Sequence, residues 1–335
     1  VKAGVIGLIR FLPFDAALPQ WGEALAALGL FSAFYGVAIG LTQQNPKTVL
    51  AYSSISQMGV IAAILGMGLA AADKGAALNA AFYAAHHVLV KGALFLAVGV
   101  VAATSARRAW LWALAPAFVL ALSLGGLPLS GGALAKFAAK PQLGYGIVGA
   151  LSALSAAATT LLMLRFLQRL ARTTSKDAEA KARLGVTLPW LAMALASVLV
   201  PWALYPATGG HVADALTPAA LWDGLWPVVI GAALALALRP FGDRLPRLPA
   251  GDIVGRGRGR GPRERRPWRS FGASRRRDPA MARGGPLASG NRDRTWSGDA
   301  DAALSGAPIA LSRCMPWFVD PPPLRLCRRP CGPNA

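Results

Sequence analysis

Seven long apolar runs pattern the first 240 residues, at about 22–42, 48–72, 76–103, 109–127, 128–170, 186–206 and 218–239. They are rich in Ala, Leu and Gly and do not alternate with polar residues, so buried strands fit them poorly. Most are 17–28 residues long, enough for a helix to cross a hydrocarbon core about 30 Å thick. In lipid, only helices and closed barrels satisfy their own backbone hydrogen bonds. The pattern therefore predicts an all-α fold, a polytopic transmembrane bundle of about seven or eight spans. The run at 128–170 has room for one broken helix or two whole ones.

Composition supports the same class. The 335 residues are 54% hydrophobic and 15% charged, with a mean hydropathy of +0.44. Soluble domains carry about a quarter charged residues, which excludes an ordinary soluble globule. The net charge of +20 is divided unevenly. Residues 1–241 hold 16 Lys and Arg against 7 Asp and Glu, and residues 242–335 hold 19 against 8, all 19 being arginine. Residues 255–335 ("GRGRGRGPRERRPWRS", "SRRRDPAMARGG" and a Pro/Cys-rich end) are therefore expected to be a disordered basic tail or an out-of-frame translation of GC-rich DNA. Nucleic-acid binding by the tail is a distant alternative. Cys314, Cys327 and Cys331 all lie in it, with no histidine near them, so neither a zinc site nor a disulfide framework is expected. Val1 opens inside an apolar run with no charged n-region before it, so no signal peptide is read there. The expectation is a chain lacking its own N-terminal portion, with a processed terminus as the alternative.

Charges inside apolar runs are costly and mark function. Lys91 lies near the middle of the run at 76–103, and His87 precedes it by four residues, on the same helical face. Both can exchange protons, the lysine when desolvated and the histidine near neutrality. The pair reads as a proton relay, and the plainer alternative is a satisfied contact between helices. His86 points elsewhere and reads as a helix-contact residue. In "GGLPLSGGALAK" (125–136), glycines flank a proline inside an apolar run, predicting a broken helix whose freed backbone groups line a cavity or meet protein. Lys136 follows that break. The alternative for it, preferred for Lys140, is a side chain reaching toward the membrane surface. In "NPKTVLAYSSISQMG" (45–59), Pro46 suits a first helical turn, and Ser53, Ser54, Ser56 and Gln57 are unusually polar for a span. Lys47 is balanced between surface anchor and conducting group.

These three stretches, with "HHVLVKGALFLAVG" as the second, resemble the antiporter-like membrane subunits in order and spacing. That family comprises the L, M and N subunits of the NADH-quinone oxidoreductases, Mrp-type Na+/H+ antiporters and hydrogenase-4-like complexes. "VKAGVIGLIRFLP" is similar to the family's earlier broken helix, in the Mrp and hydrogenase-4 branches especially. Family-like sequence runs to about Val254, giving an antiporter-like domain over 1–254 that corresponds to the C-terminal half of such a protein. The resemblance implies two proton half-channels joined by a polar axis. In it Lys2 matches the first broken helix, Lys47, His87 and Lys91 the connecting residues, and Lys136 the end of the second half-channel. The family's glutamate partner for Lys2 belongs to a region that this sequence does not contain. Asn45 stands where an acidic residue is common, and the loop at Arg107–Trp110 is short.

The expected function is thus proton translocation in the inner membrane, within a multi-subunit antiporter or oxidoreductase. The partners would be other membrane subunits, protons (with Na+ as a further ion) and the lipid bilayer. No redox cofactor is expected in this chain, which lacks Cys clusters, a dinucleotide fingerprint and haem-ligand spacing, and redox enzymology of its own is not indicated. The competing expectation is a truncated, nonconducting scaffold.

Overall fold

A computed structural model describes residues 2–239. The boundary expected near Val254, and the basic tail, lie outside the described residues. Within them the chain is helical: α1 (Lys2–Phe11), α2 (Pro19–Leu41), α3 (Pro46–Ala70), α4 (Gly75–Ala102), α5 (Ala106–Ala109), α6 (Ala115–Gly125), α7 (Gly131–Ala138), α8 (Lys140–Leu143), α9 (Gly146–Ala171), α10 (Leu184–Leu204), α11 (Val212–Ala215) and α12 (Pro218–Ala237). Seven of the described helices are long and apolar enough to span a membrane, counting α5 and α6 as one and extending α10 through the 3-10 turn at Tyr205–Thr208. The apolar runs therefore located the spans to within a few residues. The run at 128–170 resolves into the short α7 and α8 followed by one full span, α9.

Local chemistry sets several of the ends. Asn45 caps α3 by accepting the Lys47 backbone N–H at 2.9 Å, with Pro46 in the first turn. Thr217 caps α12 by accepting from Ala220 N at 3.3 Å. Between α5 and α6 the helix widens into a π-helical turn, Trp110–Leu114, and Pro116, which has no N–H to give back, follows directly.

Helix α4 sits centrally, packed on α3, α6, α7 and α10, while α2 lies closely along α3. The buried apolar side chains divide into two clusters. One holds Val49, Leu50, Val90, Leu94, Leu162 and Phe166, and the other holds Ile61, Ile64, Phe82, Leu134, Leu143 and Tyr205. Between them, along the chain, α3, α4 and α9 carry the buried polar residues Ser53, Ser56, Gln57, His86, His87, Ser155, Thr159 and Thr160. The core is thus cut across its middle by a polar band.

The loops at the two ends differ. Ser105 N donates to Ala180 O at 3.1 Å, Ser175 N donates to Thr104 O at 3.0 Å, and Arg108 approaches Glu179 at 3.7 Å. The loop before α5 and the loop after α9 therefore touch. The α5–α6 helix, the short α7 and α8 that carry on beyond its break, and the span α9 separate them, which answers whether Arg107 and Arg108 share a face with Arg172, Lys176, Lys181 and Arg183. They do. The opposite end carries Asp15 paired with Lys74 at 2.5 Å, together with Asp73 and Asp214.

Candidate proton-conducting site

The polar band begins on α4. Asn79, Tyr83, His87 and Lys91 recur every four residues, so they fall along one face. All four are buried. Lys91, only 5% exposed, donates its ammonium to Leu50 O at 2.6 Å and to the Ser53 hydroxyl. Ser53 in turn donates to Leu50 O at 3.0 Å. A buried cation is tolerable only where such oxygens replace its water. One turn along α3, Gln57 accepts from the Tyr83 hydroxyl at 2.8 Å and donates to Thr159 Oγ1 of α9 at 3.1 Å. Nearer the acidic face, Asn79 donates to Gln142 at 3.2 Å, and Gln142 donates to the Asp73 carboxylate at 2.5 Å.

The break between α6 and α7 forms the other half of the site. Gly126, with φ of +95°, terminates α6 in the left-handed conformation that glycine adopts freely. A side chain there would also collide with Lys136, since a Cβ would lie 2.6 Å from its Nζ. The Lys136 ammonium donates to Gly125 O, one of the carbonyls that the break deprives of a helical partner. Leu129 is held at φ +62°, a strained conformation for a branched side chain, and its carbonyl accepts from Trp202 Nε1 at 3.3 Å. The His86 ring fits against the start of α7, where a Cβ on Gly131 would lie 2.7 Å from Nδ1. Its Nε2 is 3.4 Å from Ser123 Oγ, which accepts from Gly132 N at 3.3 Å.

A cavity of about 460 Å³ lies between Tyr83 and Gln57 on one side and Lys136 on the other, lined also by Ser155 and Thr159 and by the half-exposed Lys140 and Asp223. Of the residues expected from the sequence, the half-buried Lys136 lines this cavity, and His87 and Lys91 are buried on the same face of α4 as Tyr83, which also lines it. Lys47 is exposed in the first turn of α3, apart from it. Lys2 opens α1, whose helix packs on α3 and α4. Sequence reasoning passed over Tyr83, Asn79, Thr159 and Gln142 and set His86 aside. Extending the four-residue spacing of His87 and Lys91 by two turns would have found Tyr83 and Asn79. Thr159 and Gln142 carry no local pattern. No group of three or more metal-ligating side chains forms among the described residues.

Seven apolar helices long enough to cross a membrane, with a buried and a half-buried lysine beside a broken helix, have the build of a multi-pass membrane protein. Residues 1–143 match the family described as NADH:quinone oxidoreductase/Mrp antiporter, TM. The chain is 35% identical over 153 residues to a Na(+)/H(+) antiporter subunit of Bacillus subtilis, an alignment covering 41% of this chain and 19% of that one. It is 34% identical over 146 residues to a probable K(+)/H(+) antiporter subunit of Rhizobium meliloti, covering 41% and 14%. A Na(+)/H(+) antiporter subunit of Alkalihalophilus pseudofirmus is 31% identical over 156 residues, covering 41% and 19%. The alignments thus span a fifth or less of the length of these curated relatives.

Proposed function

We propose that the chain conducts protons across the inner membrane through its buried lysines and histidines, as one component of an antiporter or of a related oxidoreductase complex. The observation that supports this most strongly is the polar band across the middle of an otherwise apolar core. Lys91 is held there by α3 oxygens and Lys136 by a carbonyl that the break leaves open. Keeping such groups in lipid costs at least a few kcal/mol each, which packing alone does not offset.

In this reading, protons pass between His87 and Lys91 one turn apart on α4. Gln57, Tyr83 and Thr159 hold water along the way to Lys136. Amides and hydroxyls do not themselves titrate there; they orient the water that carries the charge. Lys47 and Lys2 lie outside this segment and belong to the paths that feed it. The basic loops around Arg107 and Arg172 face the cytoplasm by the positive-inside rule, so the Lys136 cavity belongs to the outer half of the membrane. The exchange of Na(+) or K(+) for protons named for the relatives suggests an alkali ion as the counter-substrate.

The test is proton flux in membrane vesicles containing the full chain with its partner subunits, followed with a pH-sensitive dye. Lys91→Ala and Lys136→Ala are each expected to slow flux about a hundredfold, the low end for losing a positioned proton-transfer group. Lys47→Ala, at an exposed position, is expected to slow it less than about twofold. Undiminished flux in both buried-lysine variants, at normal protein levels in the membrane, would make the chain a scaffold.

A further inference from the structure

Two half-exposed charged side chains meet in the lining of the cavity. Lys140, at the start of α8, lies 2.7 Å from Asp223 of α12, and the two side chains are 46% and 50% exposed. The Lys140 ammonium also sits 5.8 Å from the centre of the Phe137 ring, on the chain leading from Lys136. Gly224, next to Asp223, brings α12 against the break, where a Cβ would stand 3.0 Å from Gly126 O. The ion pair is therefore fastened on one side to the segment carrying Lys136 and on the other to the helix covering the break.

The interior of the same cavity requires water. Ser155 of α9 lines it, is 1% exposed, and its hydroxyl has no hydrogen-bond partner in the protein. A buried hydroxyl left without a partner costs about 1–3 kcal/mol, and a cavity of this size with several polar groups on one wall supplies one by admitting water. Thr159 and Gln57 on the same wall give that water further partners. Lys140 and Asp223 are exposed to the outside as well as lining the cavity, so water entering beside them passes one positive and one negative charge in contact.

We propose that the Lys140–Asp223 ion pair is a latch across the water passage to Lys136, and that its two members set the sign of the charge admitted. Paired, they cancel and bridge α8 to α12 across the mouth. With Lys140 neutralised, a carboxylate remains there and favours cations. With Asp223 neutralised, an ammonium remains and favours anions. This rests on the reading of Lys136 as a proton carrier only for its purpose, since access of water to the cavity is measured without any proton flux.

The experiment places one cysteine at Ser155→Cys in a full-length chain whose Cys314, Cys327 and Cys331 are changed to serine. Its labelling rate in membrane vesicles is measured with a cationic and an anionic methanethiosulfonate of similar size. In the otherwise unchanged chain both reagents are expected to react slowly. Lys140→Gln should raise the cationic rate about tenfold or more and the anionic rate far less. Asp223→Asn should do the reverse, and the double variant should raise both. Rates unchanged by all three variants, or raised equally for both reagents by each single variant, would overturn the latch. Ala153→Cys, on the same wall, repeats the measurement if the Ser155→Cys chain does not accumulate. Failure here with Lys136→Ala still blocking flux leaves proton conduction standing; charge-selective labelling with flux unimpaired leaves the latch standing.

Discussion

The hydroxyl of Tyr83 reaches Gln57 at 2.8 Å, and Gln57 spends its other end on Thr159, so one oxygen on α4 ties three spans together at mid-membrane. Tyr83→Phe keeps the ring in its apolar cluster and removes only that donor. Loss of one buried hydrogen bond costs about 1 kcal/mol, to be read from thermal unfolding in detergent. Proton flux should fall several-fold, because a freed Gln57 no longer fixes the water next to Lys136. A drop in stability with flux intact would make Tyr83 a packing residue. The sequence made Lys91, His87 and Lys136 legible because each is an expensive residue within an apolar run. Tyr83 was less visible: a tyrosine in a span also suits plain packing. Thr159 and Gln142 were hidden for a different reason. They matter only through contacts with residues 102 and 63 positions away, and no local spacing encodes those.

At the scale of helices, α2 and α3 approach closely because glycines recur at heptad spacing on both, at Gly22, Gly29 and Gly36 and at Gly59 and Gly66. A Cβ at Gly29 would stand 2.5 Å from Gly59 O, so backbone must move to admit it. Gly29→Val is expected to destabilise the protein by about 1–3 kcal/mol, measured by unfolding in mixed detergent. Gly185→Ala, which meets nothing within 4 Å, should leave the transition where it is. Span positions were readable because length and hydropathy suffice for them. The order within 128–170 was not, since a pair of short helices and a full span differ in three-dimensional contacts and share one apolar composition. The break itself was visible in "GGLPLSGG", where glycine at a left-handed position and a proline two residues on cannot continue a helix.

Across the whole molecule, charge distinguishes the two ends. The cluster Arg107, Arg108, Arg172, Lys176, Lys181 and Arg183 lies at one end, on loops that hydrogen-bond to one another. Asp15, Asp73 and Asp214 lie at the other. The positive-inside rule then orients all seven spans at once. A cysteine introduced as Lys176→Cys, with the native three replaced, should react with a membrane-impermeant thiol reagent only in inverted vesicles. One introduced as His211→Cys should react only in right-side-out vesicles. The opposite pattern would invert the assignment and place the Lys136 cavity on the cytoplasmic side.

The bridge between Thr104–Ser105 and Ser175–Ala180 also has a mechanical meaning. Helices α6 and α9 leave that junction side by side, and everything between them, the break, α7 and α8, hangs from their far ends. The junction and the Gln57–Thr159 bond at mid-membrane are thus two fastenings along α9, one at the basic loops and one beside the break, with the helix packed on α6 and α12 between and around them.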